Sequence, residues 1–306
     1  MKKYVVYLEW PERCFRVTAE DLKVLSSKLP RGSLLKRVRS ERALLKELPE
    51  ATHVLTWHFR EEWFDRAPRL QVLATPAAGK ELLPAKGPAK LKIHFGSFHG
   101  AIMGESVAAA ILAHRRGFFK CAAAPEKWPR VWLSDKCESV RSSLAVIAGY
   151  GHVGRGIGKV LQSLGIVVKG LTHAECDALK AGKLKLPKET AYFILALPAN
   201  EGTENFLDRR LIAKLPRQCF IVNVGRGNAV DEAALAAALK KGRLAGAYLD
   251  VVKAEGRSCR LHERGELDLS WTNGVDNLVI MPHASAFSNR YMREFILELD
   301  REGYLK

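Results

Sequence analysis

Residues 145–161, AVIAGYGHVGRGIGKVL, carry the strongest fold signal of the sequence. An apolar run leads into closely spaced glycines, and apolar side chains then return at Ile157, Val160, Leu161 and Leu164, the spacing of one helix face. A strand, a glycine turn and a helix in this order are typical of dinucleotide-binding domains, because the free N–H groups at the helix start face the pyrophosphate. A flexible loop is the alternative that this stretch leaves open.

Five residues of the turn are predicted to contact the cofactor. Gly149 allows the tight turn out of the strand, Gly151 lets the pyrophosphate approach the backbone, and Gly154 lets the helix pack closely on the strand. His152 and Val153 lie between these glycines. The pattern therefore predicts a cofactor site at the start of this helix.

The ribose position favours NADP over NAD. A dinucleotide site usually has an acidic residue about 20 positions further on, which binds the ribose 2′-OH. Here Thr172 and His173 follow the apolar run 166–171, and the first carboxylate, Glu175, comes later. A hydroxyl and an imidazole tolerate a 2′-phosphate better than an aspartate would, although the turn has no arginine. We therefore expect NAD(P), with a preference for NADP.

Around this turn the sequence alternates strands and helices, the pattern of an α/β fold with parallel sheets. A length of 306 residues suits two domains, and the alternation of strands and helices predicts two α/β units joined near residue 100. The apolar runs typical of strands are 4–8, 53–57, 70–74, 91–95, 143–149, 166–171, 191–197, 219–224, 245–252 and 277–281.

Capping residues mark several helices. Thr18 with Asp21 forms a capping-box pattern, and Asp231 and Gly242 begin and end another helix. Residues 101–117 predict one long helix, followed by a proline-broken aromatic segment typical of an arm or domain connection. Trp128 and Trp132 in that segment are either interface anchors or ordinary core residues.

The net charge of +16 raises the question of a polyanionic partner. The densest basic part is residues 28–42, where Leu34, Leu35 and Val38 recur at helical spacing. We expect an amphipathic surface helix whose basic face attracts anionic metabolites, and we consider nucleic-acid binding through this segment the weaker alternative.

Composition limits the other function classes. The longest apolar run is far too short to span a bilayer, and the N-terminus lacks the features of a signal peptide, so we expect a cytoplasmic protein without membrane contact. The six cysteines show no CxxC pairs, which predicts reduced, mostly buried thiols and no metal site.

Three later motifs place reactive side chains at or just after predicted strands. NVGRG supplies Arg226, LDVVKAEG supplies Asp250 and Glu255, and MPHAS supplies His283. Groups beyond the carboxyl ends of parallel strands line the ligand crevice of such a sheet. A planar arginine suits a carboxylate, and a histidine beside a carboxylate suits proton transfer near neutral pH.

These motifs, in this order and at these separations, resemble those of the D-isomer-specific 2-hydroxyacid dehydrogenases. The resemblance runs over nearly the whole chain and is strongest over residues 145–284. It implies a substrate domain of residues 1–100 plus 285–306 and an NAD(P)-binding Rossmann domain of residues 101–284, with a cleft between them. It also implies a homodimer formed through the coenzyme domain.

The resemblance assigns roles by matching motifs. Arg226 would bind the substrate carboxylate and polarise the carbonyl, His283 would be the general acid/base, and Glu255 would pair with it. Asp250 matches the position that meets the nicotinamide carboxamide. The further cofactor contacts assigned with them are Leu197, Pro198, Val224 and Gly225.

In the first half, TPAAGKELL (75–83) resembles the substrate loop of the family, whose backbone amides at Ala78 and Gly79 would hold the carboxylate. Trp57 and His58, at a strand end, would shape the substrate pocket, and a structural role is the alternative for each.

The sequence also departs from the family pattern. Gly256 replaces the proline after the glutamate, Lys80 and Glu81 alter the substrate loop, and Met281 replaces a threonine. These changes keep the catalytic groups and leave the substrate open.

The implied function is NAD(P)H-dependent reduction of a small anionic 2-keto acid, such as glyoxylate or hydroxypyruvate, to the D-2-hydroxy acid. Oxidation of 3-phosphoglycerate is the alternative within the family, and formate oxidation is disfavoured because that branch has glutamine in place of Glu255. An NAD(P)-sensing interaction protein without enzyme activity is the alternative outside it.

Overall fold

The structure is a computed structural model that describes residues 1–79, 82–84, 86–123, 125–128, 130–255 and 267–306. The features predicted at Lys80, Glu81, Gly256 and Cys259 therefore lie outside the described residues.

The strands are β1 (Lys3–Tyr7), β2 (Leu34–Arg37), β3 (His53–Thr56), β4 (Val72–Thr75), β5 (Lys92–Phe95), β6 (Leu144–Ala148), β7 (Val167–Leu171), β8 (Thr190–Leu195), β9 (Phe220–Asn223), β10 (Gly246–Leu249) and β11 (Leu278–Ile280). The α-helices are α1 (Ala19–Lys28), α2 (Glu41–Glu47), α3 (His99–Arg115), α4 (Phe118–Ala123), α5 (Arg130–Lys136), α6 (His152–Ser163), α7 (His173–Lys180), α8 (Arg209–Lys214), α9 (Glu232–Lys240) and α10 (Tyr291–Arg301).

The described chain separates into two compact units, Met1–His99 with Phe287–Lys306 and Gly100–Ala286. Each unit is built on one parallel sheet, so the predicted α/β class with two parallel-sheet domains is confirmed. The assignment of one unit to the substrate and the other to the cofactor stays a prediction.

In the first unit the sheet order is β2-β1-β3-β4-β5. Helix α1 begins at the predicted capping box, in which the Thr18 hydroxyl accepts the Asp21 N–H and the Asp21 carboxylate accepts the Thr18 N–H. The carboxyl ends of β3 and β4 lead to Trp57 and to the loop that starts at Pro76. Parallel strands bring these segments to one edge of the sheet.

The helix predicted over residues 28–42 is wrong. Residues Leu34–Arg37 form the edge strand β2, which pairs in parallel with β1, and Ser40 caps the separate helix α2. Pro30 and the left-handed Gly32 interrupt a helix before it can include the leucines. Because two adjacent leucines and Val38 fit helix and strand periods alike, pairing with β1 decides the structure.

In the second unit the sheet order is β11-β10-β9-β8-β6-β7. Helix α6 follows the glycine turn, and its predicted apolar face is buried at Ile157 and Leu161. Helices α3 and α6 cross closely, because a Cβ added at Gly100 would lie 2.8 Å from the Cα of Gly156. The predicted helix of residues 101–117 is α3, and it ends before Gly117, which has a left-handed φ of 72°.

The aromatic segment that follows α3 is largely exposed. Trp128 is 88% exposed and Trp132 is 40% exposed, so the ordinary-core alternative for these side chains is wrong. In the described part of the chain, no helix is both long and apolar enough to cross a membrane.

The cysteines of the described residues are all unpaired. Of these five described cysteines, Cys176 and Cys219 alone are buried, so the expectation of mostly buried thiols is wrong. Burial raises the pKa of the Cys219 thiol to about 12, which makes it unreactive near neutral pH.

Candidate active site

The glycine turn has the geometry of a phosphate-binding turn. Gly149 has a φ of 89°, and a Cβ there would lie 2.4 Å from the Ala196 carbonyl oxygen; a Cβ at Gly154 would lie 2.4 Å from the Gly149 carbonyl oxygen. A Cβ at Gly151 would meet nothing within 4 Å. The first and third glycines are therefore required by the protein's own packing, whereas the second borders open space that a pyrophosphate can approach.

The start of α6 is free to bind an anion. Its N-cap is Gly151, which has no side chain to accept the first helical N–H groups, and His152 and Val153 form the first helical positions. His152 is exposed, and Val153 is half-buried. These N–H groups and the helix dipole favour a phosphate at this position.

The turn also lies where the strand order of the sheet reverses. Strand β6 is hydrogen-bonded to β7 on one side and to β8 on the other, so its carboxyl end is the switch point at which α/β sheets bind ligands. Leu197 and Pro198 follow β8 at this edge; Leu197 is buried and Pro198 is exposed. Val224 and Gly225, which follow β9, are buried.

The ribose position is exposed and carries both a carboxylate and an imidazole. Thr172 caps α7, and the Glu175 carboxylate accepts the Thr172 N–H and hydroxyl, 2.8 and 2.9 Å away. His173 is 92% exposed in its side chain, and its Nδ1 lies 3.0 Å from the Asp177 carboxylate. The Glu175 carboxylate is therefore engaged in the cap of α7. It also engages the backbone N–H and the hydroxyl of Thr172. The sequence did not indicate Asp177.

The Arg226 loop is fixed by close backbone contacts. A Cβ at Gly225 would lie 2.6 Å from the Leu197 nitrogen, and a Cβ at Gly227 would lie 2.1 Å from the Val252 carbonyl oxygen. The buried Asn223 side chain accepts the Gly225 N–H and donates to the Arg226 carbonyl oxygen, each at 3.1 Å. Arg226 Nη1 donates to the Gly225 carbonyl oxygen, 2.9 Å away, and the side chain is half-buried.

Asn223 was missed from the sequence. The sequence does contain a signal for it, an amide side chain at the last position of a buried strand. A buried amide there needs hydrogen-bond partners, and the following loop is the nearest source of them. The loop that carries Arg226 is therefore held before any ligand binds.

His283 and Glu255 form a close pair. His283 Nδ1 lies 2.8 Å from Glu255 Oε2, and Glu255 Oε1 accepts the Val252 N–H at 2.9 Å. The Glu255 side chain is 9% exposed, and that of His283 is 33% exposed. Because the carboxylate accepts from Nδ1–H, the ring nitrogen Nε2 is the one available to exchange a proton.

Asp250, whose backbone carbonyl oxygen accepts the His283 N–H at 2.9 Å, is 1% exposed. Its Oδ1 accepts the N–H groups of Ala284 and Ser285, each 2.9 Å away, and its Oδ2 accepts the Ser285 hydroxyl. Burial raises the pKa of Asp250, and the hydrogen bonds from Ser285 oppose that shift. Ser285 was not indicated by the sequence analysis.

The predicted substrate residues belong to the other unit. Ala78 is exposed and Gly79 is half-buried in the loop after β4. Trp57 is 5% exposed, and its Nε1 donates to the Phe15 carbonyl oxygen at 3.0 Å. His58 is half-buried. The structure brings Trp57 and the substrate loop together, since the Thr75 hydroxyl donates to the Trp57 carbonyl oxygen at 3.2 Å.

Comparisons with known proteins identify the family of the chain. Residues 108–285, more than half of the chain, match the family model of the D-isomer specific 2-hydroxyacid dehydrogenase NAD-binding domain. A putative 2-hydroxyacid dehydrogenase of Haemophilus influenzae is 25% identical over 237 residues, which cover 74% of each chain. The glyoxylate reductase of Thermococcus gammatolerans is 27% identical over 244 residues, covering 74% of this chain and 71% of that one.

A solved structure has the same fold over the whole chain. It is the NAD complex of a D-isomer specific 2-hydroxyacid dehydrogenase from Lactobacillus delbrueckii ssp. bulgaricus, with a TM-score of 0.75, 16% identity, and coverage of 99% of this chain and 96% of that chain. The chain therefore belongs to the D-isomer-specific 2-hydroxyacid dehydrogenases, oxidoreductases that use a nicotinamide cofactor.

Proposed function

We propose that the protein reduces a small 2-keto acid of the glyoxylate or hydroxypyruvate type to the D-2-hydroxy acid with NAD(P)H. The observation that carries this proposal is the pair of His283 and Glu255 at the sheet edge that also holds Arg226 and the glycine turn. The similarity to a glyoxylate reductase supports the substrate class.

The cofactor site fits a nicotinamide dinucleotide. Gly151 and the uncapped start of α6 would hold the pyrophosphate, with His152, Val153 and Gly154 alongside, while Leu197, Pro198, Val224 and Gly225 would border the nicotinamide half. When bound, the reduced cofactor supplies a hydride. We propose a preference for NADPH, because Glu175 is engaged in the cap of α7, and the exposed His173 offers an imidazole to a 2′-phosphate.

In this proposal His283 supplies the proton. Its Nε2 donates a proton to the carbonyl oxygen of the substrate as negative charge develops there, and Glu255 Oε2 holds the ring through Nδ1 and stabilises the positive charge on the imidazolium. Because Glu255 is nearly buried and also accepts the Val252 N–H, it fixes the ring orientation before the substrate binds.

Arg226 binds the substrate carboxylate with its planar fork and polarises the carbonyl group. The resemblance to the family assigns substrate contacts in the first unit to the backbone amides of Ala78 and Gly79 and to Trp57 and His58, and these assignments stay predictions. A small anionic acid suits Arg226, because a planar guanidinium binds a carboxylate.

The test is oxidation of NADH and of NADPH, followed by absorbance, across a panel of 2-keto acids that includes glyoxylate, hydroxypyruvate and phosphohydroxypyruvate. We expect turnover of small keto acids, and faster turnover with NADPH. Turnover restricted to phosphohydroxypyruvate would favour the phosphoglycerate alternative. Cofactor binding without any turnover would overturn the proposed reaction.

We also propose a homodimer that buries the exposed segment after α3. Phe118 is 66% exposed, Val131 is 77% exposed and Trp128 is 88% exposed, an unusual set of large apolar side chains for a free surface. Light scattering after size exclusion is expected to give twice the mass of one chain, and a monomer in Trp128→Glu. A monomeric wild-type protein would contradict this proposal. A cytoplasmic location stays a prediction.

A further inference from the structure

The carboxylate that contacts His283 is carried by a short turn. Residues Lys253–Glu255 form a single 3₁₀ turn after β10, and the Glu255 N–H closes it by donating to the Val252 carbonyl oxygen at 3.2 Å. The first N–H groups of such a turn have no partner within its backbone. The Glu255 side chain accepts one of them, from Val252, at 2.9 Å. The position of Glu255 therefore depends on what holds this turn.

A second carboxylate binds the next N–H group along the chain. Glu232 is the first residue of α9, and its Oε1 accepts the Lys253 N–H at 2.6 Å. Two carboxylates thus bind two consecutive N–H groups, and Glu232 does so from a different element. A hydrogen bond from an N–H to a carboxylate is shorter and stronger than one between neutral groups. Glu232 therefore caps the turn from outside.

The contact also joins the turn to the loop that carries Arg226, because this loop runs directly into α9. The two segments touch, since a Cβ at Gly227 would lie 2.1 Å from the Val252 carbonyl oxygen. The hydrogen bond from Lys253 to Glu232 ties them together one residue further on. The turn and the Arg226 loop are therefore held as one assembly.

Glu204 makes a weaker link between the same two segments. Its carboxylate accepts Asn228 Nδ2 at 2.8 Å and lies 3.5 Å from Lys253 Nζ. The Lys253 side chain is 52% exposed and that of Glu204 is 37% exposed, so solvent screens this ion pair. The polar connection between the loop and the turn therefore rests chiefly on Glu232.

The place of Glu232 has an electrostatic cost. Burial raises the pKa of Glu232, the Lys253 N–H and charge oppose that shift, and the negative charge of Glu255 adds to it. Nearby carboxylates disfavour each other's ionised form. A favourable contact has to offset this repulsion, and the hydrogen bond from the Lys253 N–H is the one that the side chain makes.

We propose that Glu232 is a positioning residue for the pair of His283 and Glu255. By binding the Lys253 N–H it fixes the turn, and the turn places Glu255 Oε2 against His283 Nδ1. The same hydrogen bond keeps the pair aligned with the Arg226 loop. The consequence for turnover rests on the proposed function, whereas the hydrogen bonds are independent of it.

Three variants of Glu232 separate its reach from its charge. Glu232→Gln keeps an acceptor oxygen at the same reach, so kcat is expected to stay within about threefold of the wild type. Glu232→Asp keeps the charge but is one methylene too short for the contact. Glu232→Asp and Glu232→Ala are both expected to lower kcat about tenfold, because misplacing a catalytic group by about 1 Å can cost up to about 100-fold. The dissociation constant of NADH, measured by fluorescence titration, is expected to stay the same.

The second readout is independent of turnover. The proton between His283 Nδ1 and Glu255 is expected to give a downfield proton NMR signal that is missing from Glu255→Gln. This signal should keep its shift in Glu232→Gln, and it should move or disappear in Glu232→Asp and Glu232→Ala. The matched control is Glu20→Ala, which removes an exposed carboxylate from the first turn of α1 in the other unit. That change is expected to leave kcat and the NMR signal unchanged.

Four outcomes overturn the inference. Wild-type kcat and an unshifted signal in Glu232→Ala would show that the hydrogen bond does not hold the turn. An impaired Glu232→Gln beside an active Glu232→Asp would assign the role to negative charge. A loss of NADH affinity equal to the loss of kcat would indicate damage to the cofactor site. Absence of the signal from the wild type would contradict the contact between His283 and Glu255.

The design also covers two failures of its parts. If Glu232→Ala does not fold, the comparison of Glu232→Gln with Glu232→Asp decides between reach and charge. Absence of turnover in the wild type would refute the proposed function, and the NMR signal would still test the positioning by Glu232.

Discussion

In each unit of the protein a histidine lies within 3.1 Å of a glutamate, and the two pairs differ in what surrounds the imidazole. His283 Nδ1 lies 2.8 Å from Glu255, and His94 Nε2 lies 3.1 Å from Glu298. The His283 side chain is 33% exposed, and no hydrogen bond involves its Nε2 among the described residues. The His94 side chain is 5% exposed, and its second nitrogen lies 3.4 Å from Glu302.

The carboxylates of the two pairs differ as well. Glu298 accepts the N–H of Ser97 and binds its hydroxyl in addition to His94, which ties α10 to the end of β5 across about two hundred residues of sequence. Burial opposes ionisation of Glu298, but the hydrogen bonds from His94 and Ser97 outweigh it and lower the pKa of Glu298. A histidine–glutamate pair therefore becomes a reactive group only where one ring nitrogen is left open to a ligand.

The largest predicted effect separates the two histidines. His283→Ala removes the proposed proton donor, and we expect kcat to fall about 10² to 10⁴-fold while the affinity for NADH stays unchanged. The matched control, His94→Ala, is expected to lower the melting temperature and leave kcat unchanged. Steady-state kinetics, fluorescence titration with NADH and thermal denaturation check both variants.

A loss of NADH affinity in His283→Ala that equals its loss of kcat would show that the role of proton donor is misassigned. A loss of kcat in His94→Ala without a change in melting temperature would remove the distinction between the pairs.

The second prediction concerns the stability that Glu298 provides. Glu298→Gln keeps the shape but loses the charge that accepts from His94 and Ser97, and we expect the free energy of unfolding to fall by about 1 to 3 kcal/mol at pH 7. Because the pKa of Glu298 is lower in the folded than in the unfolded protein, this stabilisation is present above the ordinary value of 4.5 and is lost as the pH falls through the folded pKa.

Urea unfolding at pH 7 and at pH 4 checks this sign. The difference between wild type and Glu298→Gln is expected to narrow at pH 4. Asp250 provides the opposite case, because its raised pKa means that its ionisation costs stability and acidification relieves that cost. An equal difference at both pH values would show that the Glu298 charge does not stabilise α10.

The smallest predicted effect comes from the surface of α10. Lys28 Nζ lies 2.9 Å from Asp300, with side chains that are 37% and 24% exposed. We expect Asp300→Asn to lower the free energy of unfolding by only about 0 to 1 kcal/mol, with a smaller change at high salt. A loss as large as that of Glu298→Gln would mean that the buried pair does not dominate the attachment of α10.

Much of the second unit follows from local sequence. The strand, glycine turn and helix at residues 144–163 were predictable because the strand and helix periods are local and Gly154 packs against Gly149, five residues earlier. The helix caps at Thr18 and Asp231 were predictable for the same reason, since each bonds an N–H three residues away. Strand β2 was not predictable, because its partner β1 lies about thirty residues earlier in the chain. Pairing with β1 decides the structure of a segment whose leucines also fit a helix.

The site was partly predictable. The order of the motifs indicated Arg226, Glu255 and His283, and the structure places His283 and Glu255 in contact. The roles of Asn223 and Ser285 were not predictable from the sequence. An amide or hydroxyl side chain becomes important only when folding buries it beside a donor or acceptor that has no other hydrogen-bond partner.

By itself the sequence determined the α/β class and the family and indicated candidate residues for the chemistry, because short-range periodicity, glycine spacing and the order of the motifs are local properties of the chain. Only the tertiary structure decided which of the two histidine–glutamate pairs is open at a ring nitrogen. It also decided that the Asp250 carboxylate is engaged by Ala284 and Ser285. The physical reason is that burial and hydrogen-bond partners come from segments far apart in the chain, and they set both the accessibility and the charge of each group.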